Sequence, residues 1–158
     1  MTEPRWLNVR EIRAWRGYQR MGVQLTAQLH RSLQKEAGLS LSDYEVLVHL
    51  SEADGGRLRS YELGSRLQWE KSRLSHHLSR MERRGLVTRE TCESDARGLF
   101  VVITPRGMDT IEKAAPHHVD DVRDNLIDLL TPEELDVLAD ISERVLAQLD
   151  AGGEAESA

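Results

Sequence analysis

Apolar residues along the chain recur at three- and four-residue steps, in blocks separated by Gly, Pro and Ser/Thr/Asp punctuation. The first block predicts a long helix capped at Asn8 and running to about Lys35, with Gly38 just past its end. Trp15, Tyr18, Leu25, Leu29 and Leu33 share one of its faces. Ser42-Asp43-Tyr44-Glu45 has the form of a capping box and opens a second helix that stops at Asp54-Gly55-Gly56. Arg57-Leu58-Arg59 is long enough for one rung of a sheet. Ser60 is placed to cap a short helix through Leu67, and a fourth helix spans about Glu70 to Arg84, with Gly85 as its stop. Leu86–Glu90 and Leu99–Ile103 read as two strands, joined by a polar hairpin tip over Cys92 to Gly98. Thr104-Pro105 opens a fifth helix, with Met108, Ile111, Ala115, Val119, Val122, Leu126 and Leu129 in step and Pro116 as an expected kink. Thr131-Pro132-Glu133-Glu134 combines cap, Pro and capping box, and Leu135, Leu138, Ile141, Val145 and Leu149 follow as a stripe. Residues 151–158 are expected to fray.

This order predicts a mainly α fold with a small β-hairpin: a winged helix-turn-helix over residues 39–104. Residues 1–38 and 105–150 supply amphipathic helices from both ends of the chain. Such arms cannot bury their apolar faces on a core of about 65 residues, so they are expected to be covered by a second copy, giving a homodimer.

The fourth helix carries the most informative face. Leu78 and Met81 fall within about 40° of Leu74, on the side facing the core. Ser72, His76, Ser79 and Arg83 fall within about 40° of the opposite pole, flanked by Arg73, Ser75 and Arg80, with Lys71 in the first turn. That outward face holds hydroxyls, imidazole and guanidinium and no Asp or Glu. Hydroxyls and Arg hydrogen-bond base edges in the major groove, and helix N-terminal amides hold phosphate. A merely solvated face mixes both charge signs. Adjacent His76 and His77 diverge by about 100° and do not chelate together, so no metal is expected.

Charge appears at first to oppose this reading, because the chain's net charge is −6. Between Arg57 and Gly107, however, eleven Lys/Arg face six Asp/Glu, a local +5 that leaves −11 on the remainder. A basic middle between acidic ends is the asymmetry of a DNA reader whose other parts do something else. No Gly-rich phosphate loop, nucleophile motif or spaced set of metal ligands occurs, so neither an enzyme nor a cofactor is expected. No apolar run is long enough to span a membrane, and Met-Thr-Glu-Pro-Arg-Trp lacks a signal-peptide core. A cytoplasmic protein is the expectation.

Read together, these residues resemble the multiple-antibiotic-resistance regulator family, MarR. The segment from Asp95 through Arg97 and Gly98 to Ile103-Thr104-Pro105-Arg106-Gly107 is similar to the family's wing: Asp, any residue, Arg, a small residue, then a strand ending in Leu/Ile-Thr with Gly three later. Leu74 to Val87 resembles its recognition helix and the following Gly-Leu-Val strand, Gly38 to Leu47 its second helix, and Trp15-Arg16-Gly17-Tyr18 the opening of actinobacterial members. The resemblance spans residues 8–150. It implies a repressor that binds a pseudo-palindromic double-stranded DNA operator as a dimer, with Arg97 in the minor groove and Asp95 positioned to orient it. It also implies release from the operator by a small phenolic or carboxylic ligand held between the dimerising helices and the DNA-binding block. Trp15, Arg16, Tyr18, His117 and His118 are the candidate ligand residues, since an Arg among aromatics can clamp a carboxylate.

Two alternatives stand beside it. One is a winged-helix module that binds protein instead of DNA. The other is a thiol redox sensor through Cys92, the single cysteine, although Glu90, Glu93 and Asp95 around it disfavour the thiolate.

Overall fold

Each helix begins where the chain supplies a cap. In α1 (Val9–Ala37), the Asn8 side chain accepts from the Glu11 amide at 3.0 Å and Glu11 returns a bond to the Asn8 amide at 2.9 Å. Gly38 ends the helix in the left-handed conformation, φ 64°, where a side chain would be strained. The computed structural model describes the backbone of residues 2–92 and 95–156, and side chains outside residues 92–97 and 154–156. The side chains of Asp95, Arg97 and Cys92 therefore lie outside the described residues.

The second helix departs from expectation. α2 (Leu41–Ser51) is capped by Ser40, with Asp43 as the reciprocal partner, and not by Ser42 with Glu45. The sequence Ser40-Leu41-Ser42-Asp43 offers two hydroxyls; starting at Ser40 buries Asp43, Tyr44, Leu47 and Leu50 on one side. A 3-10 turn at Asp54–Gly56 leads into β1 (Arg57–Arg59), then α3 (Ser60–Leu67) and α4 (Lys71–Arg83). Ser60 lies inside α3 and does not cap it; Arg59 takes the N-cap position without a side-chain bond.

The sheet has the order β1-β3-β2, all antiparallel, with β2 (Val87–Cys92) and β3 (Asp95–Ile103) forming the wing. The strands run further than the apolar pattern indicated. Asp95–Gly98, expected as loop, belong to β3, and Cys92 pairs with Asp95 after an irregularity at Thr91/Cys92. Arg97 is therefore a residue of the strand and not of its tip. Ladder bonds in an antiparallel pair do not need apolar side chains, so the strand continues into polar sequence.

Residues 1–119 and 120–158 form two compact units. In the first, one core joins Leu33 of α1, Val46, Leu47 and Leu50 of α2, Leu63 of α3, Leu74, Leu78 and Met81 of α4, the strand residues Val87 and Val101, and Ile111 of α5 (Pro105–Asn125). Thr104 closes its base. Its hydroxyl donates to the Gly85 carbonyl at 2.6 Å and accepts from the Gly107 amide at 2.9 Å, which makes it the expected cap of α5. Gly107 is required there, because a Cβ would collide with the Leu86 carbonyl oxygen.

α5 passes through Pro116 without a break and ends at Asn125, short of the Leu129 expected from periodicity; Ile127–Leu129 form a 3-10 turn instead. In the second unit, α6 (Pro132–Glu156) starts on the predicted Thr131/Glu134 capping box. It is helical through Gly152 and Gly153 to Glu156, the last residue whose backbone is described. Alanine and glutamate around the glycines are strong helix formers, and no proline interrupts them. Among the described residues of α6 none is buried, and Ile141, Val145 and Leu149 are exposed. No helix among the described residues is long and apolar enough to cross a membrane.

Candidate nucleic-acid interface

The inner side of α4 is anchored by Leu74, Leu78 and Met81, each at most 3% exposed. This anchoring fixes what faces out. Lys71, Ser72, Arg73, Ser75, His76, Arg80 and Arg83 are all exposed, as the periodicity predicted, whereas Ser79, expected on the same face, is half-buried. The helix contains one acid, Glu82, which is half-buried and paired at 2.9 Å with Arg89 of β2. The outward face therefore carries ammonium, guanidinium, hydroxyl and imidazole groups and no exposed acid. Glu70 at the N-cap makes no side-chain cap bond, so the first amides of α4 are not held by a cap side chain.

The polar side chains on this face differ in what holds them. The Ser79 hydroxyl donates to the Ser75 carbonyl at 2.9 Å and accepts from Arg89 at 3.0 Å, which occupies it within the protein. Arg83 Nε donates to the Ser79 carbonyl at 3.3 Å. Arg73 lies 4.3 Å above the Trp69 ring, and an Arg80 guanidinium nitrogen lies 3.0 Å from His77 Nδ1. Among the described residues, Ser72 and His76 show neither a side-chain hydrogen bond nor an ion pair, which leaves both able to pair outward.

Behind the face is a polar cluster that sequence reasoning missed. His77 is 8% exposed and its Nε2 stands 2.9 Å from Asp43 Oδ1, close but off the line of a well-aimed hydrogen bond. Arg84 donates to Asp43 Oδ2 at 2.7 Å and to the Gly38 carbonyl at 2.7 Å. Burial alone would push the Asp43 carboxyl up. His77, the Ser40 amide and the hydrogen bond and charge of Arg84 outweigh burial and hold it well below the usual carboxylate range. One signal for this was present in the sequence: on the helical wheel His77 lies about 60° from Leu74, on the apolar side.

β1 adds a feature that periodicity and motif did not single out. Arg57 and Arg59 place their guanidinium groups 4.5 and 5.0 Å from the Phe100 ring centroid, on the wing's outer face.

The candidate ligand residues fall into two sets on different helices. Trp15 and Tyr18 stack along α1 with centroids 6.2 Å apart; both are exposed, as is Arg16. His118 packs instead on Tyr44 of α2, with ring centroids 4.2 Å apart, while His117 is exposed. A groove of about 730 Å³ between α1 and α2 is lined by other residues, including Val23, His30, Leu41, Glu45 and Arg73 of α4, and by none of these five. Among the described residues, no three His, Cys, Asp or Glu side chains gather as metal ligands.

With this geometry in place, comparison with known proteins is decisive. The profile described as MarR family matches residues 37–98. AbsC, a MarR family transcriptional regulator from Streptomyces coelicolor, is 47% identical over 94% of this chain and 99% of its own, with a TM-score of 0.90. Sco3205, a MarR family regulator from the same organism solved in complex with DNA, is 41% identical over 92% of this chain and 91% of its own, with a TM-score of 0.88. Among curated proteins, the HTH-type transcriptional regulator MhqR of Bacillus subtilis (strain 168) is 22% identical over 130 residues, 82% of this chain and 84% of that protein. The basic outward helix, the wing and these likenesses agree: the chain belongs to the MarR family of DNA-binding transcriptional regulators.

Proposed function

We propose that the chain is a homodimeric repressor whose α4 reads a pseudo-palindromic operator in the major groove. Lys71, Ser72, Arg73, Ser75, His76, Arg80 and Arg83 make the contacts, with Ser79 supporting them from within. The observation that carries this is the acid-free exposed face of a helix whose other side is locked into the core. Residues 39–104 are the DNA-binding block in this reading, and the wing contributes Arg97, oriented by Asp95, to the minor groove. The DNA complex of Sco3205 supports the assignment of DNA as partner. Residues 1–38 and 105–150 supply the dimer contacts. Trp6, Val9, Val23, Ile141, Val145 and Leu149 are apolar side chains left about half or more exposed, and a second copy would cover them.

Selection of duplexes from random DNA by the pure protein tests the reading. It should enrich two inverted half-sites about one helical turn apart. Enrichment of no motif, or of a single unpaired one, overturns it.

Release by a small phenolic or carboxylic ligand completes the proposal. Exposed Trp15 and Tyr18 offer a stacking surface beside Arg16, which can hold a carboxylate in two-pronged fashion. His117 and His118 are the second set in this reading. Benzoate or phenol titrated into the protein–DNA complex should dissociate it, and Arg16→Ala should blunt the benzoate response. Equal responses from both proteins would remove Arg16 from the site.

A further inference from the structure

Two outward arginines of α4, Arg73 and Arg80, contact a half-buried stack built on Trp69 and the buried His77. Trp69, in the turn before the helix, meets the Arg73 guanidinium on its face at 4.3 Å and His77 edge-on at 5.1 Å. On its other side His77 meets Asp43 of α2 through Nε2, at 2.9 Å, and Arg80 through Nδ1, at 3.0 Å. A guanidinium only donates, so Nδ1 must present its lone pair to Arg80 and the ring proton must sit on Nε2, toward Asp43. Asp43 is in turn fixed by the Ser40 amide at 2.9 Å and by Arg84 at 2.7 Å. A ring that only filled space would be served as well by leucine. Both ring nitrogens of His77 instead face a polar partner inside the protein.

We infer that His77 is a positioning residue for DNA recognition: clamped between Asp43 and Trp69, it presets Arg80 for the groove. This rests on the reading of α4 as the DNA-contacting helix. Arg carries large rotamer entropy, and an Arg held in place before binding loses less of it on contact. The stack thus acts on affinity for DNA through Arg80 and on stability through Asp43, by two different nitrogen atoms.

That separation supplies the test. In His77→Asn the amide oxygen takes the place of Nδ1, so the acceptor for Arg80 is kept and the reach to Asp43 is lost. In His77→Gln the amide takes the place of Nε2, so the Asp43 contact is kept and the Arg80 acceptor is lost. Melting temperature and affinity for a duplex selected by the wild-type protein are measured for both, with and without Arg80→Ala. We expect the Gln variant to melt higher and the Asn variant to bind tighter, by about tenfold per half-site, the size of one hydrogen bond to a charged group. The difference in affinity should vanish when Arg80 is Ala. If affinity simply follows melting temperature, so that the Gln variant binds at least as well as the Asn variant, His77 is only a structural residue. If Arg80→Ala alone leaves affinity unchanged, Arg80 is not a DNA contact, and the reading of that face fails along with the inference.

Discussion

Residues 33–119 and residues 120–158 bury their apolar side chains in opposite ways. The first region closes a core of its own, in which Leu39, Leu47, Leu50, Leu63 and Met81 are fully buried. The second contains α6, with none of its described residues buried and with Val137, Ile141, Val145 and Leu149 about half or more exposed. Both regions show the same three- and four-residue apolar rhythm. The rhythm therefore tells which face is apolar and not what will cover it.

The sharpest break of this comparison is removal of α6. Deleting residues from Leu135 onward should leave aggregated or unfolded protein, measured by size-exclusion chromatography and circular dichroism. A soluble folded monomer would show that the first region needs no partner. Next in size, Leu50→Ala should cost about 2–5 kcal/mol at any protein concentration, since it opens a cavity in a closed core. Ile141→Asp should instead make melting temperature depend more steeply on concentration, because its burial comes from association. Equal concentration dependence for both variants would erase the distinction.

Charge sharpens the comparison further. Asp43→Asn should cost about 2 kcal/mol near neutral pH, a value kept modest because Arg84 is half-exposed. The Asp43 carboxyl is held below its ordinary value in the folded state. Its contribution is therefore fully present above about pH 4 and is lost as pH falls further, through the folded value. Acid denaturation followed by circular dichroism should show a shallower acid limb in the variant; parallel curves would remove Asp43 from the account. The smallest effect on folding is expected from Arg97→Ala. Melting temperature should hold, while DNA binding weakens and its salt dependence flattens by roughly one unit of slope per dimer arm. Unchanged affinity at moderate salt would exclude Arg97 from the interface.

Much of the outward face of α4 was legible because periodicity alone separates Ser72, His76 and Arg83 from Leu74, Leu78 and Met81. Gly85, Thr104 and Gly107 were legible as punctuation, and each takes a role at the base of the wing. The Asp43–His77–Arg84 cluster was not, since its members are 34 and 41 residues from Asp43 along the chain and each taken singly looks like a surface residue. Nor was the extension of β3 through Arg97, because backbone pairing carries a strand into sequence with no apolar alternation. Pro116 lies inside a continuous helix. A proline inside a helix forfeits one backbone bond, but the turns on either side of it persist in α5.

Arg84 ends α4, and its two 2.7 Å bonds reach the carboxylate that opens α2 and the Gly38 carbonyl that closes α1. Three helix termini are thereby tied at one knot. A roll of α4 about its axis would strain the bond that Arg84 makes to the last turn of α1. In the proposed reading, the helix offered to the groove is thus moored to the last turn of the 29-residue α1.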